Sequence, residues 1–214
     1  MSKRIWRIAL IVLAAAAQPT IAADRKSSDA PAPTSALPGD LLAGLVKGGY
    51  VIYIRHAATD HAASDTDRKN LRNCATQRNL STLGRRQAAR IGAAFRKLRI
   101  PVGRIVSSPY CRCLDTARLA FGRVEPSRDL VSAPDPRGPE AKRLATSLYR
   151  MLGTPPKAGT NTVIVGHSSN IYDATNIQAK PEGVAVIFRP SGGGRVFYVR
   201  KVHPGAWQKT ARAR

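Results

Sequence analysis

The apolar residues of this chain follow two patterns, short continuous runs and longer segments with helical spacing. Three runs, Tyr50 to Ile54, Arg104 to Val106 and Thr162 to Val165, are short and contain β-branched residues, so they predict buried strands. Between the runs, apolar residues recur at a spacing that places them on one face of a helix. The first predicted helix is capped by Ser81 or Thr82 and carries Ala88, Ile91, Phe95 and Leu98. The second is capped by Ser108, begins at Pro109 and carries Leu114, Ala117 and Phe121. The third begins at Pro139 and carries Leu144, Leu148 and Met151.

The last part of the chain has the pattern of a β-hairpin. Two further apolar segments, Val184 to Phe188 and Arg195 to Lys201, flank the turn-forming sequence Pro190 to Gly194. Strands that are separated by helices favour parallel pairing, whereas the two strands of a hairpin are antiparallel. We therefore predict an α/β fold with a mostly parallel central sheet and an antiparallel hairpin at its edge.

The 214 residues are enough for one domain with a sizeable core. A basic start precedes the uncharged stretch Ile8 to Ala23, which ends in small residues. This layout predicts a signal peptide over residues 1–23 and hence a periplasmic or secreted bacterial protein, with an uncleaved membrane anchor as the alternative. We assign residues 24–39, which contain several Ser and Pro, to a flexible linker, residues 40–209 to the domain and residues 210–214 to a frayed basic tail.

The formal net charge of +22 favours anionic partners, because it raises their local concentration and speeds their encounter with the protein. An anionic envelope surface is one such partner, and a generally basic, solvated surface is the alternative interpretation. No aromatic platform or recognition motif accompanies the charge, so we predict no specific nucleic-acid binding.

Three cysteines, Cys74, Cys111 and Cys113, are present. In an oxidising compartment an even pair can form a disulfide and leave one thiol. Cys111 and Cys113 are too close in sequence to pair comfortably across a helical turn, so the predicted bridge joins Cys74 to either of them, with three separate thiols as the alternative. Such a bridge would tie the loop after His56 to the segment that carries Arg112. A metal site is less favoured, since no Cys-x-x-Cys pair is present.

Basic side chains follow the predicted strands. Arg55 and His56 follow the first, His167 follows the strand that ends near Val165, and Arg112 lies at the start of a helix. Because the carboxyl ends of parallel strands share one edge of a sheet, where ligands of open α/β sheets bind, we predict a common anion pocket. Neutral imidazole is a good nucleophile toward phosphorus, and we assign that role to His56. The other basic groups would hold phosphoryl oxygens, with Ser168 as a further candidate ligand.

Four fragments carry a family resemblance: Arg55-His56-Ala57, Leu80-Ser-Thr-Leu-Gly84, Ser107-Ser-Pro-x-x-Arg112-x-x-x-Thr116-Ala117 and Gly166-His167-Ser168. In this order they resemble the histidine phosphatase superfamily, also called phosphoglycerate mutase-like, and its branch 1 in particular. The resemblance covers roughly Tyr50 to Arg189. It implies a three-layer α/β/α sandwich, a phosphohistidine formed on His56, and a phosphate pocket of Arg55, Arg112 and His167. It also implies that the protein needs no metal and no other cofactor.

Two positions depart from the family pattern. Ala57 stands where the family usually has glycine, a difference of one methyl group. Many members also place a glutamate two residues past a leucine, where it protonates the leaving oxygen, but the sequence here is Leu130-Val131-Ser132. We predict Asp135 as the replacement acid, although Asp60 and Glu140 are further candidates. Since general acid catalysis is worth roughly 10²–10⁴-fold, its absence would favour sugar pyrophosphates, acyl phosphates or phosphohistidine over alkyl phosphates.

Two functions are compatible with these residues. The first is an exported phosphoric monoester hydrolase that uses His56 as nucleophile on a small-molecule or glycolipid phosphate, such as a phosphorylated cell-envelope sugar. Export and charge are the basis for that substrate, and export also disfavours a mutase of cytosolic sugar phosphates. The second is a phosphate-binding module with weak turnover, which the missing glutamate favours. The presence of His56 together with Arg55, Arg112 and His167 favours the enzyme.

Overall fold

A computed structural model describes residues 35–214, and the fold given below is that of these residues. The expected signal peptide, residues 1–23, and most of the expected linker, residues 24–39, lie outside the described residues. The strands are β1 Val51–Arg55, β2 Val102–Ser107, β3 Glu125–Pro126, β4 Asn161–Gly166, β5 Ala185–Pro190 and β6 Val196–Val202. The α-helices are α1 Gly39–Lys47, α2 Thr82–Lys97, α3 Cys111–Phe121, α4 Pro139–Gly153, α5 Ser168–Thr175 and α6 Pro204–Arg212.

The strands form one mixed sheet in the order β3-β2-β4-β1-β5-β6. The first four strands in this order pair in parallel, whereas β5 is antiparallel to β1 and β6 is antiparallel to β5. The predicted α/β architecture is therefore confirmed, and so is the antiparallel hairpin, which places β6 at the edge of the sheet.

Successive side chains of the central strands face two different apolar cores, because strand side chains alternate between the two faces of a sheet. Ile52 and Ile54 of β1 pack in a core with α1, α2, α3 and α6. Val51 and Tyr53 pack in a second core with α4 and α5. Helices thus cover both faces of the sheet, which confirms the three-layer sandwich. Within residues 35–214, none of the helices is both long and apolar enough to cross a membrane.

The sequence pattern does not predict helices α1, α5 and α6. Because α6 extends to Arg212, the assignment of residues 210–214 to a frayed tail needs correction. The segment expected to be a frayed tail begins inside α6, which buries Thr210. Two contacts hold this helix against α2 and against the segment before α1. The ring centroid of Trp207 lies 4.7 Å from that of Phe95, and Thr210 Oγ1 accepts the N–H of Leu37 at 2.8 Å. Since α6 offers few long apolar side chains, its place depends on these long-range contacts.

Helix α3 begins later than predicted, and the predicted cap at Ser108 is wrong. The helix starts at Cys111. The N–H of Ser108 donates to Val165 O at 2.9 Å, which continues the pairing of β2 with β4, so Ser108 stays extended. The N–H of Cys111 donates to the Gln77 side-chain oxygen at 2.9 Å. Arg112 nevertheless lies in the first turn of α3, as predicted.

Helix α2 begins directly against the chain that follows β1. Ser81 Oγ accepts the N–H of Gly84 at 3.1 Å, which confirms the predicted cap, and the N–H of Ser81 donates to Ala58 O at 3.0 Å. A Cβ atom on Gly84 would collide with the carbonyl oxygen of Ala58, so this close approach requires glycine. The helix start therefore supports the backbone just after His56.

The β1–α2 loop, residues 56–81, is fastened to the start of α3. A disulfide joins Cys74 to Cys111, whose Cα atoms are 5.7 Å apart. Cys113 is a buried free thiol, and burial raises its pKa to about 12. The predicted bridge from Cys74 is thus present, and its partner is Cys111.

Candidate active site

Neighbouring strands deliver the candidate residues to one edge of the sheet. In the parallel pairing of β1 with β4, Arg55 lies opposite Gly166, and the N–H of His56 donates to Gly166 O at 3.0 Å. His56 and His167 therefore leave adjacent strands at the same edge, and their ring centroids are 5.6 Å apart. Helix α3 follows β2, which pairs with the other side of β4, and brings Arg112 to the same place. Arg55, His56, Arg112 and His167 are called the pocket residues below.

The ring of His56 presents a free lone pair. Its Nδ1 lies 3.0 Å from the backbone oxygen of Ala57. Because a carbonyl oxygen can only accept, Nδ1 carries the proton and Nε2 keeps the lone pair. Within residues 35–214, no hydrogen bond occupies Nε2 of His56. This tautomer is the one that a nucleophilic imidazole requires.

Burial keeps both pocket histidines neutral. The side chain of His56 is 3 % exposed, and loss of hydration, with a smaller effect of the Arg112 charge, lowers its pKa to about 4. The hydrogen bond to Ala57 opposes this shift without reversing it. Burial, followed by the charge of Arg112, also lowers the pKa of His167 well below its ordinary value. At neutral pH the two rings are therefore uncharged until an anion enters.

His167 is fixed through both its backbone and its ring. Tyr53 Oη donates to the backbone oxygen of His167 at 2.7 Å, and the N–H of His167 donates to Asn170 Oδ1 at 3.0 Å. Its Nε2 lies 2.9 Å from Ser108 Oγ, and its ring packs edge-on against Tyr110 with 5.0 Å between centroids. These contacts from three different elements hold the ring in one orientation.

Arg112 is held end-on by a carboxylate. Its Nη1 and Nη2 donate to Oδ1 and Oδ2 of Asp65 at 2.9 and 3.2 Å, and the two side chains are 5 % and 12 % exposed. The guanidinium carbon also lies 4.4 Å from the ring centroid of Tyr110. Burial alone would raise the pKa of Asp65, but hydrogen bonds from Arg112 and from the N–H of Arg78 outweigh it and lower the pKa. Asp65 is therefore charged at neutral pH.

Arg55 is held in a similar way by Glu182. Its Nη1 donates to a backbone carbonyl at 3.2 Å and its Nη2 to Glu182 Oε1 at 3.4 Å. Thr59 donates its N–H and its hydroxyl to the same carboxylate at 3.0 and 2.8 Å, and the exposed His61 places its Nε2 3.4 Å from Oε2. Burial tends to raise the pKa of Glu182, but the hydrogen bonds from Thr59 outweigh it and lower the pKa. Glu182 Oε1 lies 4.0 Å from Nδ1 of His56.

Each pocket arginine keeps one buried donor free. The Nε atoms of Arg55 and Arg112 are buried and have no acceptor within residues 35–214, although their Nη atoms are held by protein oxygens. A buried donor without a partner costs about 1–3 kcal/mol. Two such donors, on arginines at the same sheet edge as His56, match a ligand that brings its own acceptor oxygens. A phosphoryl group has both the oxygens and the charge for this position.

Thr116 connects the segment that follows His56 to the helix of Arg112. Thr116 Oγ1 donates to the backbone oxygen of Arg112 at 2.7 Å and accepts the N–H of Ala57 at 3.0 Å. The side chain thus bonds to the residue after His56 and to the helical turn below the guanidinium. This contact gives a physical reason for a threonine four residues after the arginine.

Ser168 and Asp135 have different positions relative to the pocket residues. Ser168 is half-buried at the first position of α5, and within the described residues it makes no hydrogen bond to the pocket residues. Asp135 is exposed in the loop before α4, where it accepts the N–H of Arg137. No hydrogen bond or ion pair within residues 35–214 connects it to the pocket residues, so its role as proton donor stays a prediction without geometric support. Ser132, at the position of the family's glutamate, shares a hydrogen bond with Ser169 at 2.9 Å.

The two carboxylates nearest the pocket residues, Glu182 and Asp65, are absent from the sequence-based prediction. Glu182 precedes β5, which runs antiparallel to β1, so its start lies at the edge where β1 ends. The sequence pattern predicts the hairpin but not this pairing with β1. Asp65 lies in a polar loop with several acids, and only the disulfide from that loop to Cys111 indicates that one of them comes close to Arg112.

Comparisons with known proteins agree with this fold. The family model of the histidine phosphatase superfamily (branch 1) matches residues 51–131. A phosphoserine phosphatase mutant from Entamoeba histolytica in complex with phosphoserine is 15% identical over 73% of this chain and 98% of its own, with a TM-score of 0.52. A mycobacterial glucosyl-3-phosphoglycerate phosphatase with inorganic phosphate is 17% identical over 74% of this chain and 99% of its own, also with a TM-score of 0.52. No curated protein sequence matches. Over residues 51–131 the chain is therefore similar to the histidine phosphatase superfamily (branch 1), and the solved structures share its fold.

We expect Asp65→Asn to lower kcat on an aryl phosphate about tenfold, because the amide loses the two-point pairing that orients Arg112, and misplacing a catalytic group by about 1 Å can cost up to 10²-fold. Inhibition by inorganic phosphate should not weaken, since the pocket loses a negative charge. Steady-state kinetics with phosphate as competitive inhibitor measure both quantities.

Asp67→Asn is the matched control for this variant. Asp67 lies in the same loop, where it accepts the N–H groups of Lys69 and Asn70, so both kinetic quantities should stay unchanged. If Asp65→Asn instead lost phosphate inhibition and thermal stability together, Asp65 would support the fold without orienting Arg112.

The low pKa of His56 predicts a pH-dependent stability. An unfolded histidine titrates near pH 6.5, whereas His56 in the folded protein titrates at about 4. Below pH 6.5 the unfolded chain therefore binds a proton that the folded chain excludes, and the free energy of unfolding falls until about pH 4. Urea unfolding measured from pH 6.5 to pH 4 should show that the free energy of unfolding falls less for His56→Gln than for wild type. The difference between the two declines should reach up to about 3 kcal/mol. Equal declines would contradict a neutral, buried His56, and His61→Gln controls for the loss of an exposed imidazole.

Proposed function

We propose that the protein is an exported phosphatase that hydrolyses phosphate esters or anhydrides through a phosphohistidine on His56. The observation that carries the proposal is a neutral, buried His56 with a free lone pair at Nε2, at the same sheet edge as the buried, unpaired Nε–H groups of Arg55 and Arg112. Similarity to the histidine phosphatase superfamily over residues 51–131 supports the reaction class. The solved structures with this fold include proteins named as phosphatases for phosphoserine and for glucosyl-3-phosphoglycerate.

The proposed reaction has two steps. In the first, Nε2 of His56 forms a bond to phosphorus while the bond from phosphorus to the leaving oxygen breaks, and the electron pair stays on that oxygen. In the second, water attacks phosphorus, the N–P bond breaks, and inorganic phosphate and the neutral imidazole are released. Arg55, Arg112 and His167 would hold the equatorial oxygens, whose charge grows in the transition state. Glu182, 4.0 Å from Nδ1, stabilises the positive charge that forms on the ring.

Protonation of the leaving oxygen is the weakest part of this arrangement. That oxygen departs from the side of phosphorus opposite to Nε2 of His56, whereas Glu182 approaches the Nδ1 atom of the ring. Asp65 is paired with Arg112 and its pKa is lowered, so it is a poor acid in the free protein. We therefore infer that preferred substrates have leaving groups that depart without a proton, such as sugar pyrophosphates, acyl phosphates or phosphohistidine.

The proposal also covers the cellular compartment and the class of substrate. The disulfide between Cys74 and Cys111 supports an oxidising compartment, and the net charge of +22 suits an anionic envelope. We infer a phosphorylated cell-envelope sugar, free or as a glycolipid, as the substrate class. The steps above are written with side chains of this chain alone, so independence of metal is also part of the proposal.

A phosphate-binding module with weak turnover is the second candidate. Asp65 already pairs with both Nη atoms of Arg112, which weakens the hold of this arginine on a substrate. The free lone pair of His56 favours the phosphatase, because a binding role has no use for it. Trapping of the phosphorylated protein separates the two candidates.

We expect a covalent phosphoryl group on His56 during turnover. Wild-type protein mixed with a ³²P-labelled aryl phosphate and denatured at alkaline pH should retain label, because the N–P bond survives alkali, and should lose it in acid. His56→Ala should retain none, whereas His61→Ala, which removes an exposed imidazole, should retain it. Circular dichroism confirms that each variant is folded. Label that persists in His56→Ala would exclude His56 as nucleophile, and phosphate binding without turnover or label would favour the binding module.

We also expect a strong dependence of rate on the leaving group. Since an effective general acid is worth roughly 10²–10⁴-fold, kcat on an alkyl phosphate should be lower than kcat on an activated aryl phosphate by a factor in that range. Asp135→Asn should leave this ratio unchanged, because no hydrogen bond or ion pair in the described part of the chain joins Asp135 to the pocket residues. Similar rates on both substrates, or a selective loss of alkyl phosphate turnover in Asp135→Asn, would show that a general acid is at work.

A further inference from the structure

A groove of about 550 Å³ separates the outer faces of α2 and α6. Four cationic side chains line it, Arg90 and Lys97 from α2 and Lys209 and Arg212 from α6, and its lining within the described residues includes no carboxylate. All four side chains are exposed. None of them pairs with a carboxylate within residues 35–214.

Helical spacing explains why these cations face one another. Arg90, Ala93 and Lys97 recur at intervals that place them on one face of α2, and Lys209 and Arg212 lie on one face of α6. Alanine between the two cations of α2 leaves the floor of the groove open, so that the charged side chains form its rim. The result is a concave basic surface rather than scattered charges.

The convergence of four cations on one concave surface distinguishes this groove from other surfaces of the fold. The lack of ion pairs alone does not, because within residues 35–214 only Arg85, Arg104 and Arg143 among the exposed arginines have carboxylate partners. Four like charges around one groove repel each other, and an anion that binds there relieves this repulsion. The groove therefore matches a surface with several negative charges better than it matches a single small ion.

The described chain enters the fold next to this groove. The N–H of Leu37 donates to Thr210 Oγ1 on α6 at 2.8 Å. Leu37 and Leu41 belong to the same core as Ala211, which also lines the groove. The segment before residue 35 thus connects to the fold beside the last turn of α6.

The sequence of that segment points to a bilayer as the anionic surface. It contains the uncharged stretch Ile8 to Ala23, followed by a short polar linker. Where this stretch is retained as an uncleaved anchor, the alternative to a cleaved signal peptide, it holds the chain at a bilayer, and a cluster of basic side chains adds attraction to anionic headgroups. Because the linker joins the fold beside the groove, contact through the apolar stretch would bring the basic surface close to the lipid headgroups.

We propose that the groove between α2 and α6 docks the protein on anionic phospholipid headgroups. Both helices begin at the carboxyl edge of the sheet, where Ser81 contacts Ala58 and β6 ends opposite Ala185, and both run away from it. A membrane along these helices leaves the edge with His56 uncovered. The inference does not depend on the proposed phosphatase function.

The test is vesicle co-sedimentation of the full chain, with phosphatidylcholine vesicles that contain or lack phosphatidylglycerol. Each Lys or Arg near an anionic bilayer changes partitioning about fivefold. Replacing Arg90, Lys97, Lys209 and Arg212 by Gln should therefore lower binding to anionic vesicles by roughly 600-fold if the four contributions are independent, and higher salt should reduce wild-type binding. Turnover of a soluble aryl phosphate should be unchanged in this variant.

A second quadruple variant controls for net charge. Replacing Lys142, Arg150, Lys157 and Arg195 by Gln removes the same charge from residues on α4 and in loops outside the groove. This control should lose less than about fivefold. Equal losses in the two variants would show that only overall charge matters, and equal binding to neutral and anionic vesicles would show that the apolar stretch acts alone. Groove-dependent binding of heparin without binding to anionic vesicles would assign the groove to a soluble polyanion and overturn the proposal.

Discussion

The parallel pairing of β4 with both β1 and β2 is the constraint on which the pocket depends. β4 lies between the two strands that lead to Arg55-His56 and to the helix of Arg112, and it ends in Gly166 before His167. Residues far apart in sequence thereby reach one edge without any direct bond between the histidines. A shift of one residue in either pairing would turn the side chains of that strand to the opposite face of the sheet. The two apolar cores oppose such a shift, because it would exchange the strand side chains between two cores that are each packed around their own set.

Charge compensation is the second feature that shapes the site. Two guanidinium groups placed together at low exposure repel each other, and each has a carboxylate partner, Asp65 for Arg112 and Glu182 for Arg55. Both carboxylates come from segments that are tied to the pocket by other contacts. The disulfide joins the loop of Asp65 to Cys111, the residue before Arg112. The N–H of Thr59 donates a hydrogen bond to Glu182 and holds that carboxylate in place. The arginines are therefore oriented before any anion arrives.

Features that depend on neighbouring residues could be predicted from the sequence, and features that depend on long-range pairing could not. The β-branched run of β1, the Ser81 cap and the hairpin turn are local signals, and the structure has all three. Ser108 looks like a helix cap locally, but its N–H is used by Val165 and its hydroxyl by His167. Glu182 reaches the pocket only because β5 pairs with β1, and the sequence order of the strands does not reveal that neighbour. Family motifs predicted His56 and its basic neighbours, which the structure brings to one edge of the sheet, but not the carboxylates that balance their charge.

The balance between the arginine and carboxylate charges affects how tightly the free pocket would bind phosphate and how fast the proposed reaction would run. With both histidines neutral and both arginines paired, the free pocket has little net charge, so it does not hold inorganic phosphate as tightly as two unpaired arginines would. Strong binding of substrate and product alike does not speed a reaction, since only interactions that strengthen in the transition state raise kcat. In the proposed phosphoryl transfer, positive charge would develop on His56, and Glu182 lies 4.0 Å from its Nδ1. At the same time negative charge spreads over the oxygens near the unpaired Nε donors of Arg55 and Arg112. The carboxylates thus weaken attraction for the ground-state anion while the groups that remain free act on charge that appears only as the bond to His56 forms.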